Sequence, residues 1–181
     1  MLPEYIQRTK DKELRKSRVM ESIFFNEAVK KGYKIKKSNP RDDMYKHIDF
    51  YINMDDKWIG VDVKARKRTH RRSNSFDDVY TWVEFKNVQG RKGWLYGESD
   101  YIVFEQEKEY IFVDRKCLLN YCLDAVEKVN VNSPIDAIYK YYSRNGRQDL
   151  LSRIELKKAL DSKYFSEPPM VWEKSNDESN N

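Results

Sequence analysis

The chain has 181 residues, of which 39% are hydrophobic, and this is enough for one domain with a hydrophobic core. Lysine and arginine number 35 against 30 acidic residues, and the net charge of +5 favours an anionic partner such as nucleic acid. No apolar stretch approaches the length of a membrane span, and residues 1–6 lack the apolar run of a secretory signal. We therefore expect an intracellular protein, cytoplasmic or nuclear, that is neither secreted nor bound to a membrane.

The first predicted element is a helix over residues 11–31. Its apolar residues recur at roughly helical intervals, and Gly32 closes it. Residues 33–36 then predict a short strand. Asp42 and Asp43 follow an Asn-Pro pair in a predicted loop, where acidic side chains are usually solvated, so we expect them to lie in solvent rather than to bind a ligand.

Two segments with alternating polar and apolar residues predict neighbouring strands. Residues 47–52 include Asp49, and residues 58–64 end in Asp62-Val63-Lys64. The five residues between these segments contain turn formers and are short enough for a hairpin. Because successive side chains of a strand point to opposite faces, Asp62 and Lys64 share one face, and Asp49 is expected beside them.

Two carboxylates on adjoining strands repel each other unless a hard divalent cation such as Mg²⁺ or Mn²⁺ lies between them. A metal bound to Asp49 and Asp62 can lower the pKa of a water and neutralise charge on a phosphoryl group. Lys64 can position the attacking water or stabilise the same charge. The two histidines, His47 and His70, are too few and too separate for a histidine-based nuclease site. We expect His47 to be a structural neighbour of Asp49.

The spacing of Asp49 and Asp62-Val63-Lys64 resembles the motif of the PD-(D/E)XK nuclease superfamily, which reads Asp, a spacer, Asp or Glu, any residue and Lys. Ile48 stands where the motif has proline, so one motif position departs from the family. The resemblance implies an α/β, restriction-endonuclease-like fold with a mixed central β-sheet flanked by helices. It also implies a magnesium-dependent deoxyribonuclease that hydrolyses DNA phosphodiester bonds with a metal-activated water.

The same resemblance implies a further acidic residue in the site. The opening helix of the family often supplies a glutamate, and Glu21 lies in a similar place, eleven residues before Gly32. Asp49, Asp62 and Glu21 would then bind the metal, with Lys64 as the remaining catalytic residue. A solvated helix position is the alternative for Glu21, and Glu27 is the weaker candidate for the same role.

A basic segment directly follows the second motif strand. Six of the nine residues from Lys64 to Arg72 are lysine or arginine, and such a loop would meet phosphates near the scissile bond. A solvated loop or an import-like basic run is the alternative. The predicted nucleic-acid contacts from this segment and from a later loop are Arg66, Lys67, Arg68, Arg71, Arg72, Arg91, Lys92 and Trp94.

Residues 80–87 predict a strand with a second acidic-any-lysine pattern, Glu84-Phe85-Lys86. Asp49 with Glu84 and Lys86 would be an alternative triad. We prefer Asp62 and Lys64 because the short spacing to Asp49 makes a direct hairpin, and Glu84 and Lys86 remain secondary candidates. An ordinary strand residue paired with a neighbouring basic side chain is the other interpretation of Glu84.

The loop over residues 87–97 is basic, aromatic and punctuated by glycines. It looks like the connecting loop of phage and viral members of the superfamily, which implies a viral or phage-encoded protein. Trp94 could stack on exposed bases or pack against a turn. Strands are predicted over residues 101–104 and 109–113, followed by a helix that Asp114 caps.

The last third of the chain is predicted to be helical, over residues 133–145 and 149–160. Two cysteines, Cys117 and Cys122, lie five apart on the preceding helix and are expected to be reduced. Residues 1–165 are assigned to a single nuclease-like domain. Residues 166–181 are predicted to be a disordered polar tail outside the fold, with Trp172 as an anchoring aromatic.

Two other classes of function fit the same sequence. One is a non-catalytic nucleic-acid-binding module of nuclease-like fold within a larger assembly, although a pure binder gains nothing from carboxylates beside phosphates. The other is a basic module that binds an acidic protein. DNA is favoured over RNA as the partner, and the sequence leaves open a homodimer, which would favour cutting both strands of a duplex.

Overall fold

The computed structural model describes residues 18–67 and 75–175 as a mixed α/β fold. Within these residues, two short helical turns accompany the elements, one π-helical (Asp42–Lys46) and one 3₁₀ (Trp94–Tyr96). The helices and strands follow in chain order: α1 (18–30), β1 (Ile35–Lys37), β2 (Phe50–Met54), β3 (Lys57–Lys64), β4 (Tyr80–Lys86), β5 (Tyr101–Glu105), β6 (Glu109–Asp114), α2 (Arg115–Ala125), β7 (Glu127–Val131), β8 (Lys140–Tyr142), β9 (Leu150–Glu155), α3 (Leu156–Leu160) and β10 (Met170–Glu173). The α/β class is confirmed.

The larger sheet has the strand order β1-β2-β3-β5-β6-β10. Strands β3 and β5 run parallel and all the other neighbours antiparallel, so the sheet is mixed. Helix α1 covers one face of this sheet with Met20, Phe24 and Ala28, which recur every four residues and are buried. The ring of Phe24 packs edge-on against Tyr110, with 5.1 Å between the ring centroids.

The smaller sheet has the strand order β4-β9-β8-β7 and packs toward the other face of the larger one. Val83 and Phe85 of β4 share a buried core with Ile102 and Phe104 of β5. Helix α2 packs against this core. The Asp114 carboxylate caps the N-terminus of α2 by accepting the Cys117 N–H at 2.8 Å. The packing brings β4 across the face of β3 and β5 that α1 leaves uncovered.

The predicted β2–β3 hairpin is confirmed. Phe50 pairs with Val61 and Met54 with Lys57, and the two residues between the strands, Asp55 and Asp56, have φ of 48° and 61°. Left-handed conformations at both central positions match the twist of the flanking strands, and aspartate tolerates them better than most residues. The helix before the hairpin ends as predicted at Gly32, whose φ is +82°.

The predictions for the last third of the chain are wrong. The helix expected over residues 133–145 is replaced by a loop and strand β8, and residues 150–155 form strand β9 before the short helix α3. In β9 the buried Ser152 and Ile154 alternate with the more accessible Arg153 and Glu155. This period of two marks a strand, and the leucines around it gave the segment a helical appearance.

The segment predicted to be a disordered tail contains strand β10, so the expectation is wrong for residues 170–173, while residues 176–181 lie outside the described residues. β10 pairs antiparallel with β6, and Trp172 is only 5% exposed. Its ring stacks on Phe24 at 5.8 Å and on Tyr33 at 4.5 Å between centroids. The burial of one aromatic ring ties this polar segment to the core.

Trp172→Ala is expected to lower the free energy of unfolding by about 3–5 kcal/mol, because it removes a buried indole from between two aromatic rings. Denaturant unfolding followed by circular dichroism measures the loss. Val171→Ala, on the same strand but with 43% of the residue exposed, is the control and should cost less than about 1 kcal/mol. Equal losses in the two variants would show that β10 adds little to the fold.

No helix among the described residues has both the length and the apolar character that crossing a membrane requires. Cys117 and Cys122 are both free thiols, as the sequence predicts. The feature of most chemical interest is the end of the β2–β3 hairpin, where the two sheets meet.

Candidate active site

Asp49 is fixed to the edge of the hairpin by two hydrogen bonds. Its backbone N–H donates to the Val61 carbonyl at 2.8 Å, and its carboxylate Oδ2 accepts the Val63 N–H at 2.7 Å. Both partners flank Asp62 on β3, so Asp49 is held beside Asp62 although β2 begins only at Phe50. The predicted pairing of the two aspartates is thus brought about by backbone contacts.

Asp62 and Lys64 point away from α1, because Val61 and Val63 between them fill the core under that helix. Asp62 is 3% exposed, and the Lys64 ammonium lies 2.6 Å from its Oδ1. The other oxygen, Asp62 Oδ2, is buried and finds no hydrogen-bond partner in residues 18–67 and 75–175. Leaving a buried carboxylate oxygen without a donor costs free energy, and such atoms are rare in folded proteins.

The two carboxylates perturb each other. Burial raises the pKa of Asp49 well above its ordinary value, and the negative charge of Asp62 raises it further, while Lys64 opposes both effects. Burial alone would lower the pKa of Lys64, but the neighbouring Asp62 and Asp49 raise it above the usual value. The lysine therefore stays charged, and it is the cation that holds this acidic pair together.

Glu84 of β4 reaches the same site from the smaller sheet. Burial raises the pKa of Glu84, and the charge that most opposes this rise is the Lys64 ammonium. The Trp94 backbone N–H also opposes this rise in the pKa of Glu84. The two acidic-any-lysine patterns thus converge on one place, and Lys64 is the lysine at their centre. Lys86 lies exposed at the end of β4.

The loop between β4 and β5 approaches Glu84 closely at Gly93. A Cβ built on Gly93 would lie 2.4 Å from the Glu84 carbonyl oxygen and 2.8 Å from its Cγ, so only glycine fits there. Trp94 is 7% exposed, and the Lys64 ammonium lies 5.0 Å from the centroid of its ring. Trp94 is therefore a packing residue, and the expectation that it stacks on exposed bases is corrected.

Three further side chains surround the aspartates. Glu21 of α1 accepts a hydrogen bond from Lys37 at 3.0 Å, and its charge contributes to the raised pKa of Asp49. Burial, followed by the charge of Glu21, raises the pKa of Asp43. Burial lowers the pKa of His47, and the charge of Asp62 opposes this effect. Asp43 is exposed, as its loop position predicts.

Two other acidic candidates have structural roles. Glu27 is buried and binds both the N–H and the hydroxyl of Ser175, which connects α1 to the residues after β10. Asp42 accepts hydrogen bonds from the Tyr51 hydroxyl at 2.8 Å and from the Asn39 amide at 2.9 Å. Both carboxylates are fully engaged in holding neighbouring segments together.

The predicted nucleic-acid contacts differ in what the structure shows of them. Arg66 forms ion pairs with Asp78 and Glu107 and packs on Phe76, so its charge is already balanced. These contacts give Arg66 a structural role, and its assignment as a phosphate contact stays a prediction. Arg91 and Lys92 are exposed on the loop between β4 and β5, and Lys67 is exposed after β3. Arg68, Arg71 and Arg72 lie outside the described residues.

The donor set fits a hard divalent cation. Mg²⁺ is commonly held by one or two carboxylates together with waters and substrate phosphates, and Asp49 and Asp62 supply such a pair. The unpartnered Asp62 Oδ2 is an oxygen that a cation would satisfy. Among the described residues, no group of three or more histidine, cysteine, aspartate or glutamate side chains is arranged to hold a metal.

Comparisons with known proteins add no relative: no family model matches the chain, and no curated protein or solved structure is significantly similar to it. The resemblance to the PD-(D/E)XK motif therefore remains a hypothesis. Its support comes from the contacts among Asp49, Asp62, Lys64 and Glu84. Sequence reasoning missed the close approach of Gly93 to Glu84 and the contact of the Trp94 ring with Lys64, because both depend on how separate segments pack.

Proposed function

We propose that the protein is a metal-dependent nuclease that hydrolyses DNA phosphodiester bonds. The observation that carries the proposal is the geometry at Asp62, where a buried carboxylate holds Lys64 through one oxygen, while the other oxygen has no hydrogen-bond partner among the described residues. A second carboxylate, that of Asp49, is held beside Asp62, although burial and the charge of Asp62 raise the pKa of Asp49 and so disfavour its charged form. Strained acidic pairs of this kind cluster at functional sites because a structural role would be met at lower cost by neutral residues.

The order of the elements supports a site of the PD-(D/E)XK kind. A helix covers one face of the sheet, a short strand follows, and an antiparallel hairpin carries the two aspartates and the lysine. Strand β5 then runs parallel to β3 on its other side. We propose on this basis that the larger sheet is a restriction-endonuclease-like core, to which the smaller sheet adds Glu84.

Each residue has a role that its position favours. Asp49 and Asp62 would hold Mg²⁺ or Mn²⁺, which supplies an activated water and neutralises charge on the phosphate when bound. The Lys64 ammonium lies within reach of both carboxylates and can position the attacking water or stabilise negative charge on the phosphoryl oxygens. Glu21 bonds to Lys37 and contributes its charge to the raised pKa of Asp49, so we propose that it completes or orients the metal shell.

DNA is the proposed substrate. The chain carries an excess of five positive charges, and the exposed Arg91 and Lys92 lie on the loop that borders the site. A carboxylate pair beside a phosphate backbone repels it unless a divalent cation is present, which argues against simple binding as the purpose of the site. We therefore place catalysis above the non-catalytic binding alternative.

A cleavage panel tests this function. The purified protein is incubated with single-stranded, duplex, flapped and four-way DNA and with RNA, in Mg²⁺, in Mn²⁺ and in a chelator. We expect at least one DNA substrate to be cut in the presence of metal and none in the chelator. Salt-dependent DNA binding without cleavage of any substrate in either metal would support a binding module instead.

A further inference from the structure

Lys64 occupies a position that conflicts with metal binding at the same site. Its ammonium lies 2.6 Å from Asp62 Oδ1, so in the structure it neutralises the carboxylate that would hold a divalent cation. Two cations beside one carboxylate repel each other strongly in a buried site. If Asp62 binds a metal, Lys64 therefore needs another anionic partner close by.

Glu84 is placed to be that partner. It comes from the other sheet, and the Lys64 ammonium is the charge that acts most strongly on it. Gly93 and Trp94 connect the two residues, because Gly93 packs against the backbone and Cγ of Glu84 while the Trp94 ring faces the Lys64 ammonium at 5.0 Å. The ring gives the ammonium a favourable surface next to the Glu84 carboxylate.

The position of Glu84 is also tightly defined. Gly93 leaves no room for a Cβ between the loop and the Glu84 backbone, and the Gly93 N–H donates to the Phe85 carbonyl at 2.9 Å. The loop thus fixes both Trp94 and Glu84 relative to Lys64. Asp49 is a poorer acceptor for the displaced lysine, because it would share the metal with Asp62.

We propose that Glu84 is a positioning residue that receives the Lys64 ammonium when a divalent cation takes Asp62. This inference rests on the proposed function. The device that it adds is a switch of the Lys64 ammonium between two carboxylate partners. In the metal-free protein Lys64 bonds to Asp62, and in the metal-bound protein it bonds to Glu84. Metal affinity then depends on Glu84 through Lys64, without any contact between Glu84 and the metal.

A double-mutant cycle on Mn²⁺ affinity tests the device, with calorimetry on the full chain as the readout rather than cleavage. Glu84→Gln should weaken Mn²⁺ binding on the order of tenfold, a coupling typical of residues in contact. Lys64→Met should strengthen Mn²⁺ binding, because the competing cation is gone. In the Lys64→Met background, Glu84→Gln should change the affinity by less than about twofold.

Two controls make the outcomes separable. Glu127→Gln, the same change at an exposed position of the smaller sheet, should leave Mn²⁺ affinity unchanged. An equal loss from Glu84→Gln with and without Lys64 would overturn the device and show that Glu84 acts on the metal directly. No Mn²⁺ binding by the unaltered protein would overturn the proposed function itself, which is a different result.

Discussion

Asp62→Asn is expected to lower metal-dependent DNA cleavage at least about a thousandfold, which corresponds to roughly 4 kcal/mol of transition-state stabilisation. The amide has the shape of the carboxylate but carries no charge, so it weakens the metal site and its bond to Lys64 together. Asp49 and Glu84 remain near Lys64, so the partly buried ammonium keeps acidic neighbours and the fold is expected to be retained. Initial cleavage rates at saturating Mg²⁺, with circular dichroism of both proteins, provide the measurement.

Asp56→Asn is the matched control for this variant. It makes the same chemical change on the same hairpin, at an exposed turn residue with a φ of 61° that asparagine adopts readily. Cleavage by Asp56→Asn should equal that of the unaltered protein. If Asp62→Asn, folded and purified in the same way, kept its magnesium-dependent cleavage, the activity would have to arise elsewhere in the chain.

The metal-free protein is expected to lose stability as the pH rises above the ordinary titration range of a carboxylate and through the raised pKa of Asp49. Burial, followed by the charge of Asp62, raises the pKa of Asp49 in the folded state far above the unfolded value near 3.8. A group with a raised folded pKa stabilises the fold fully below its unfolded pKa, and this stability is lost as the pH rises through the folded pKa. Burial raises the pKa values of Glu84 and Asp43 in the same direction.

Asp49→Asn should flatten this pH dependence, because the amide resembles the protonated carboxylate and does not titrate. A group that is protonated in the folded state and ionised in the unfolded state contributes a slope of at most about 1.4 kcal/mol per pH unit. Urea unfolding in a chelator at several pH values measures the slope for both proteins. Saturating Mn²⁺ should restore stability to the unaltered protein at pH 8 and have little effect on Asp49→Asn. Identical slopes for the two proteins would mean that Asp49 is not the group that causes the pH dependence of stability.

The sequence predicts the local parts of the site well, because they depend on contacts between neighbouring segments. The alternation in β3 sets the shared face of Asp62 and Lys64, and the short spacing to Asp49 requires a hairpin. The helix that ends at Gly32 and the cap at Asp114 are similarly local. Each of these features needs only a few consecutive residues to specify it.

The parts that the sequence does not predict depend on distant packing. Glu84 and Lys64 belong to different sheets, and their closeness follows from the core that β4 shares with β5. The same limit applies to β10, a polar segment whose place is fixed by the stacking of Trp172 on Phe24. Arg66 reads as a phosphate contact in the sequence, but Asp78 neutralises it across a loop. Charge and burial at such positions are properties of the fold.

The most direct test of the central claim is a crystal structure of the protein soaked in Mn²⁺, with anomalous scattering used to locate the metal. We predict an anomalous peak in contact with the carboxylates of Asp49 and Asp62, at about 2.0–2.3 Å from an oxygen of each. We also predict that the Lys64 ammonium has left Asp62 for Glu84. Crystals that bind Mn²⁺ only elsewhere, with Lys64 still bonded to Asp62, would contradict the assignment of this aspartate pair as the metal site.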